Sequence, residues 1–148
     1  MSVTQISAID AFDILQKDKN SVLVDVRTFE EFSFVGTVNA DEFGGRMILS
    51  PWKLSMSMKE NPAFASNLEE MLHNLFGKKG KEAKIFFICR SGGRSDAAAR
   101  FASGLGYLSC FNVSSGFEGD LDPNEQRGKM SGWKAEQLPW KQSWLSKL

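Results

Sequence analysis

The strongest pattern in the chain is a set of short apolar runs separated by amphipathic stretches. Residues 21–26 (SVLVDV) and 84–89 (KIFFIC) are rich in β-branched or aromatic residues, too short for a helix and too continuous for a half-exposed strand. Runs of this kind predict buried strands. Residues 110–113 give a third, and residues 47–49 a shorter fourth. Between them lie helical patterns. Ser7 three residues before Asp10 resembles a capping box and opens a short helix with Ile9, Phe12, Ile14 and Leu15 on its apolar side, broken at Asn20 and Ser21. A helical scrap is expected over 28–34. Asn61 and Pro62 set up a helix over 63–76, with Phe64, Leu68, Leu72 and Leu75 on one face. The last helix is expected over 95–105, with Ala98, Phe101, Ala102 and Leu105 aligned and Gly104 and Gly106 ending it.

Residues 36–45 carry weak signals, and Pro51 begins an irregular methionine-rich stretch through Met58. Residues 77–84 read as a solvated charged loop. The tail from Gly128, with Trp133, Trp140 and Trp144, reads as an irregular flap or short helix whose tryptophans pack, or one of which walls a pocket. Strands alternating with helices imply an α/β domain with a largely parallel sheet. Ligands in such sheets sit beyond the carboxyl ends of the strands, which is where Cys89 falls.

Composition narrows the picture. The 148 residues suit one domain, with 42% hydrophobic residues and 24% charged. Eighteen basic residues balance eighteen acidic ones, so no global field selects nucleic acid or an anionic membrane. The N-terminus lacks the apolar run of a signal peptide, and no stretch is long enough to span a bilayer, so a cytoplasmic protein is expected. Cys89 and Cys110 are the two cysteines and His73 the one histidine. This excludes a disulfide framework and gives no metal-ligand spacing; no cofactor is expected.

The segment Cys89-Arg90-Ser91-Gly92-Gly93-Arg94-Ser95 concentrates the chemistry. Gly92 and Gly93 let the backbone curl, and a curled loop turns amide N–H groups inward as an anion nest. The following helix adds the positive end of its dipole. Arg90 and Arg94 add two cations, with Arg90 free to point outward. Such a field favours thiolate over thiol, and thiolate is the nucleophile. A buried, inert strand-end cysteine is the alternative, and the surrounding glycines, arginines and helix argue against it.

At this loop the chain resembles the rhodanese family. Leu23-Val24-Asp25-Val26-Arg27 with Glu30-Glu31-Phe32 resembles the family's early segment. Leu105-Gly106-Tyr107 and Asn112-Val113-Ser114-Ser115-Gly116-Phe117 resemble its last helix end, strand and glycine turn. The resemblance covers about residues 6–120. The tail Gly132-Trp133-Lys134-Ala135 with Leu138-Pro139-Trp140 resembles bacterial single-domain members. It implies one rhodanese domain over 1–148, with a core over about 6–120 and an aromatic extension over 121–148 packed on it. It implies a five-stranded, mainly parallel sheet with helices on both faces.

The resemblance further implies a double displacement. A sulfane-sulfur donor such as thiosulfate loads Cys89, and a thiophilic acceptor, whether cyanide, a thiol or a partner protein, unloads it. The backbone of Arg90, Ser91, Gly92, Gly93, Arg94 and Ser95 would cradle the persulfide, with Arg90 and Arg94 holding the donor's sulfonate. Mercaptopyruvate suits this loop less well, because relatives specialised for it carry a less charged one. Asp25 and Arg27 read as a structural charge pair, with Glu31 a partner for Arg27. His73 reads as exposed. Cys110 reads as core, with a resolving thiol as the alternative. Residues 34–40 depart from the family's usual Gly-His-Ile-Pro-Gly-Ala segment by lacking its histidine, which opens the chain's path there to change.

Two rival readings stand beside this one. A cysteine phosphatase of the same fold needs Cys-x5-Arg to wrap a phosphate, whereas Cys89 to Arg94 is one residue shorter. A non-enzymatic regulatory or interaction module is the other rival, and the complete cysteine loop argues against it.

Overall fold

The computed structural model describes residues 2–54 and 58–142. In chain order the elements are β1 (Val3–Ile6), α1 (Ala8–Lys17), β2 (Ser21–Asp25), α2 (Phe29–Val35), β3 (Thr37–Val38), β4 (Met47–Leu49), α3 (Phe64–Phe76), β5 (Lys84–Ile88), α4 (Gly93–Gly104), β6 (Ser109–Val113) and β7 (Trp140–Lys141). Two 3-10 turns, Asp41–Phe43 and Gly77–Glu82, join them. Five strands form one sheet in the order β1-β6-β5-β2-β4, every pair parallel. The four chemically legible strands are all present, and β1 adds an edge.

Side-chain alternation along the central strands builds a core on each face. Val22, Val24, Ile85, Phe87 and Cys89 point to the side covered by α3 and α4, among Phe64, Leu68, Leu72, Ala98 and Ala102. Leu23, Phe86, Ile88 and Val113 point to the other side, among Ala8, Ala11, Leu15, Phe43, Phe117 and Trp133. Truncating a fully buried phenylalanine such as Phe86 removes about 3–5 kcal/mol at sites of this kind.

Helix α1 starts where the sequence places it: Ser7 Oγ accepts from the Asp10 amide. Its buried face differs from the expected one. Ala8, Ala11 and Leu15 are buried, while Ile9 is half exposed. In α4 the buried residues are Ser95, Ala98, Ala99, Ala102 and Ser103, and Phe101 and Leu105 lie at the surface. Small side chains bring both helices close to the sheet, so the larger residues are left at the rim. Phe101 there packs against Trp52 and Phe64, with ring centroids 5.3 and 6.2 Å away. Leu75 of α3 is likewise exposed.

The charged stretch 77–82 is ordered rather than a free loop. Gly80 is buried beneath it, and Lys81 donates to the Leu105 carbonyl and lies 3.9 Å from the Tyr107 ring centroid. Trp133 is fully buried in the second core, edge-on to Phe12, and its indole N–H donates to Pro139. Trp140 is part of β7, which pairs antiparallel with β3, and is partly exposed. Trp144 lies outside the described residues, as does part of the methionine-rich stretch. Where the family's usual histidine is absent, Gly36 turns the chain with φ 101°, and a Cβ there would meet the Lys141 carbonyl of β7. No helix among the described residues is long and apolar enough to cross a membrane.

Candidate functional site

The site begins at the carboxyl end of β5, the middle strand of the sheet. Ile88 pairs with Asp25 of β2, and β6 lies on the other side. Cys89 follows directly and is 1% exposed. Its carbonyl accepts from the Phe117 amide at 2.8 Å, and the Arg90 carbonyl accepts from Glu118 and Gly119 at 3.0 and 3.1 Å. The glycine turn after β6 therefore holds the first two residues of the loop from outside. Gly116, at φ 70°, is required there, since a Cβ would overlap the Arg90 carbonyl oxygen.

The loop curls back onto the sulfur. The Gly92 amide lies 3.1 Å from Cys89 Sγ, and the Ser95 hydroxyl lies 3.2 Å from it. Gly92 adopts φ 107° and serves as the N-cap of α4 with no side-chain cap, so the first turn of that helix opens toward the loop. The two adjacent glycines differ in kind. A Cβ on Gly92 would run into the Ser114 carbonyl, while one on Gly93 meets nothing within 4 Å among the described residues. We expect Gly92→Ala to lower stability by about 1–3 kcal/mol or more. Gly93→Ala, in the first turn of a helix, should be neutral or stabilising by up to ~1 kcal/mol. Urea denaturation of the two variants checks this, and equal midpoints would contradict it.

Arg94 and Glu31 meet across 63 positions of sequence. The guanidinium spans both carboxylate oxygens, at 2.6 and 2.9 Å, with both side chains largely buried. This corrects the expected partner of Arg27. Glu31 is placed by a capping box in which Thr28 Oγ1 accepts from the Glu31 amide and Glu31 accepts from the Thr28 amide. Burial works against the Glu31 charge, but hydrogen bonds from Arg94 and Thr28 outweigh it and hold the carboxyl below its ordinary range. Arg94 is held charged chiefly by its bonds to Glu31, against its own burial, with Cys89 a smaller contributor.

A depressed carboxyl contributes its stability above its unfolded-state pKa and loses it as pH falls through the folded value. Glu31→Gln should therefore be less stable than the parent at neutral pH, with the gap closing below about pH 4.5. Denaturation midpoints across that range test the sign; a gap that stays constant in acid would refute it.

Asp25 and Arg27 form a second, fully buried pair beside the loop. Arg27 Nε donates to both Asp25 oxygens at 3.0 and 3.1 Å, and Nη2 donates to Asp25 Oδ2 and the Gly36 carbonyl, each at 2.7 Å. The guanidinium lies 4.4 Å from the Phe117 ring centroid and 5.4 Å from that of Phe32. This pair joins the end of β2, the turn after α2 and the glycine turn that holds Cys89. Glu31, the neighbour expected for Arg27, pairs with Arg94 instead.

Of the remaining candidates, Arg90 and Gly93 are exposed and Ser91 is half-buried. Cys110 is buried in the first core, its thiol pushed up to about 11 by burial. His73 is exposed on α3. No cluster of metal-ligating side chains occurs among the described residues. Sequence reasoning missed Asn112 as a site residue. Its side chain reaches the Ser95 hydroxyl at 2.6 Å and the Gly92 carbonyl at 3.2 Å. The signal was an amide on a buried strand beside the glycine turn.

A family model described as the rhodanese-like domain matches residues 9–121. An uncharacterized protein of Rickettsia rickettsii is 40% identical over 140 residues, which cover 95% of this chain and 98% of the relative. A crystal structure of Rv0390 from M. tuberculosis is 33% identical with a TM-score of 0.84, covering 97% of this chain and 100% of the other. The solution structure of a polysulfide-sulfur transferase homodimer from Wolinella succinogenes is 17% identical with a TM-score of 0.58, covering 94% of this chain and 78% of that one. At that identity the likeness is one of fold.

Proposed function

Because the chain belongs to the rhodanese-like domain family, we propose that it is a sulfurtransferase that carries a sulfane sulfur as a persulfide on Cys89. The observation that carries this reading is the Cys89 sulfur at the floor of a loop that offers it the Gly92 amide and the Ser95 hydroxyl. Donors of this kind stabilise negative charge on sulfur in either form, thiolate or persulfide.

The reaction proceeds in two displacements. The Cys89 thiolate attacks the outer sulfur of a donor such as thiosulfate. The donor's S–S bond breaks and sulfite leaves with the electron pair. An acceptor nucleophile (cyanide, a thiol, or a thiol on a partner protein) then attacks the terminal persulfide sulfur. The new S–S bond breaks in turn, and Cys89 departs as thiolate. No external base is required once the thiol is ionised. The loop amides of residues 90–95 would cradle the added sulfur. Arg90 and Arg94 would face the donor's sulfonate, with Arg94 already paired with Glu31 through both carboxylate oxygens and so serving more as a fixed wall than a free cation.

The short Cys89 to Arg94 spacing supports this over a phosphatase, since two of its few inward donors are already within reach of a single sulfur. Intact mass after incubation with thiosulfate tests the reading. The expected result is a gain of one sulfur, mapped to the peptide containing Cys89 and removed by cyanide. Hydrolysis of an aryl phosphate without sulfur uptake would favour the phosphatase, and neither activity would favour a regulatory module.

A further inference from the structure

The Ser95 hydroxyl lies within hydrogen-bond reach of three acceptors: Cys89 Sγ at 3.2 Å, the Gly92 carbonyl at 3.2 Å and Asn112 Oδ1 at 2.6 Å. A hydroxyl has one proton to donate. Which acceptor receives it follows from the groups behind Asn112. The Asn112 amide nitrogen lies 3.2 Å from the Gly92 carbonyl, which can only accept, and 2.8 Å from Gln5 Oε1. Gln5 is oriented in turn because its own nitrogen donates to Asp96 Oδ1 at 2.8 Å. Asp96 is held as a carboxylate, below its ordinary range, first by its hydrogen bond from Arg100.

The chain Asp96, Gln5, Asn112, Ser95 thus has one direction. Each member donates toward Asp96, and Asn112 presents an oxygen to Ser95. Both Asn112 N–H groups are occupied, and its oxygen receives the shortest bond of the set. With the Ser95 proton engaged there, the serine turns lone pairs toward Cys89, an arrangement that suits a thiol as donor. A thiolate requires the opposite polarity.

We propose that Asn112 is a positioning residue that holds the Ser95 proton away from Cys89 while the sulfur is a thiol and releases it to the sulfur on ionisation. The thiol's S–H bond breaks with its electron pair remaining on sulfur, and the proton goes to solvent. The Ser95 hydroxyl then rotates from Asn112 Oδ1 to Cys89 Sγ. Ionisation of the nucleophile therefore costs one short hydrogen bond and gains another, so Asn112 sets how readily the loop charges. The charged groups around the sulfur are otherwise fixed in pairs: Arg94 with Glu31, Asp25 with Arg27, Asp96 with Arg100, while Arg90 is exposed.

The significance of the device rests on Cys89 being the sulfur carrier, but its test is read on the free thiol. The rate of iodoacetamide alkylation at Cys89 is followed by peptide mass from about pH 5 to pH 10, which separates it from Cys110. In Asn112→Leu the midpoint should fall by ~0.5–1 pH unit, about three- to tenfold more thiolate below the midpoint. In Ser95→Ala it should rise, because the thiolate loses its hydroxyl donor. In the double variant, Asn112→Leu should no longer shift the midpoint. Asn112→Ala replaces the leucine variant if that one fails to fold. An equal shift with and without Ser95, no shift from Asn112, or an unmoved midpoint in Ser95→Ala overturns the proposal. Failure of sulfur uptake with these shifts intact overturns the transferase reading instead.

Discussion

Cys89→Ser is expected to keep the fold and take up no sulfur. The substitution conserves shape at a position already surrounded by hydrogen-bond donors, so the Gly92 amide and Ser95 retain a partner. What it removes is the chemistry. A serine hydroxyl at neutral pH is hardly ionised at all, and two hydrogen bonds do not close that gap, so neither attack on a sulfane sulfur nor storage of it follows. The contrast with Cys110→Ser makes the result specific. Burial raises the Cys110 thiol to about 11, and it lies in the core among apolar neighbours, so its loss should leave uptake unchanged. Intact mass and transfer to cyanide in the two variants are the measurements. Residual loading of Cys89→Ser, or dependence on Cys110, would move the carrier elsewhere and end the proposed mechanism.

Asp25→Ala is expected to produce the largest loss of stability. Removing the carboxylate leaves the Arg27 guanidinium fully buried with its charge unmatched, and Nη1 has no hydrogen-bond partner among the described residues even in the intact protein. Breaking a buried pair in this way costs about 3–5 kcal/mol. For a chain of this size that corresponds to a fall in Tm on the order of 10 °C. Replacing both partners with apolar residues, as in Asp25→Leu with Arg27→Met, should restore much of the loss, because no bare charge remains. Thermal denaturation of the single and double variants decides it. If the double variant is no more stable than Asp25→Ala, the penalty arises from the lost hydrogen bonds of Asp25, such as that from the Arg27 backbone amide, rather than from stranded charge.

The parts of this fold that could be read along the chain are those with one-dimensional causes. Strands β2 and β5 carry apolar runs because both of their faces are buried, and β6 carries a weaker one interrupted by Asn112. The caps at Ser7 and Thr28 are local, and so is the glycine loop at Cys89. Strand β1 was missed because Val3-Thr4-Gln5-Ile6 lies at an edge, with Thr4 and Gln5 exposed. Strands β3 and β7 are two residues each and exist through their pairing with one another, about a hundred positions apart. The helix faces were misjudged for a related reason. Large apolar residues carry the amphipathic signal, but alanines decide how closely α1 and α4 approach the sheet.

The site divides the same way. Its cysteine, glycines and arginines are contiguous along the chain. Its electrostatic partners are not: Glu31 reaches Arg94, and Asn112 reaches Ser95, only after the sheet has assembled. Pairing Arg27 with Glu31 is reasonable at a spacing of four, yet Asp25, two residues away on the extended chain, closes around the guanidinium first.

Strand β5 has a neighbour on each side and a hydrophobic layer above and below it. Amide protons along 84–88 should accordingly be among the last to exchange with deuterium, surrendered only when the whole molecule opens. A sulfur atom loaded and unloaded at the tip of that strand would come and go against an unyielding backdrop, turnover after turnover, without disturbing the scaffold behind it.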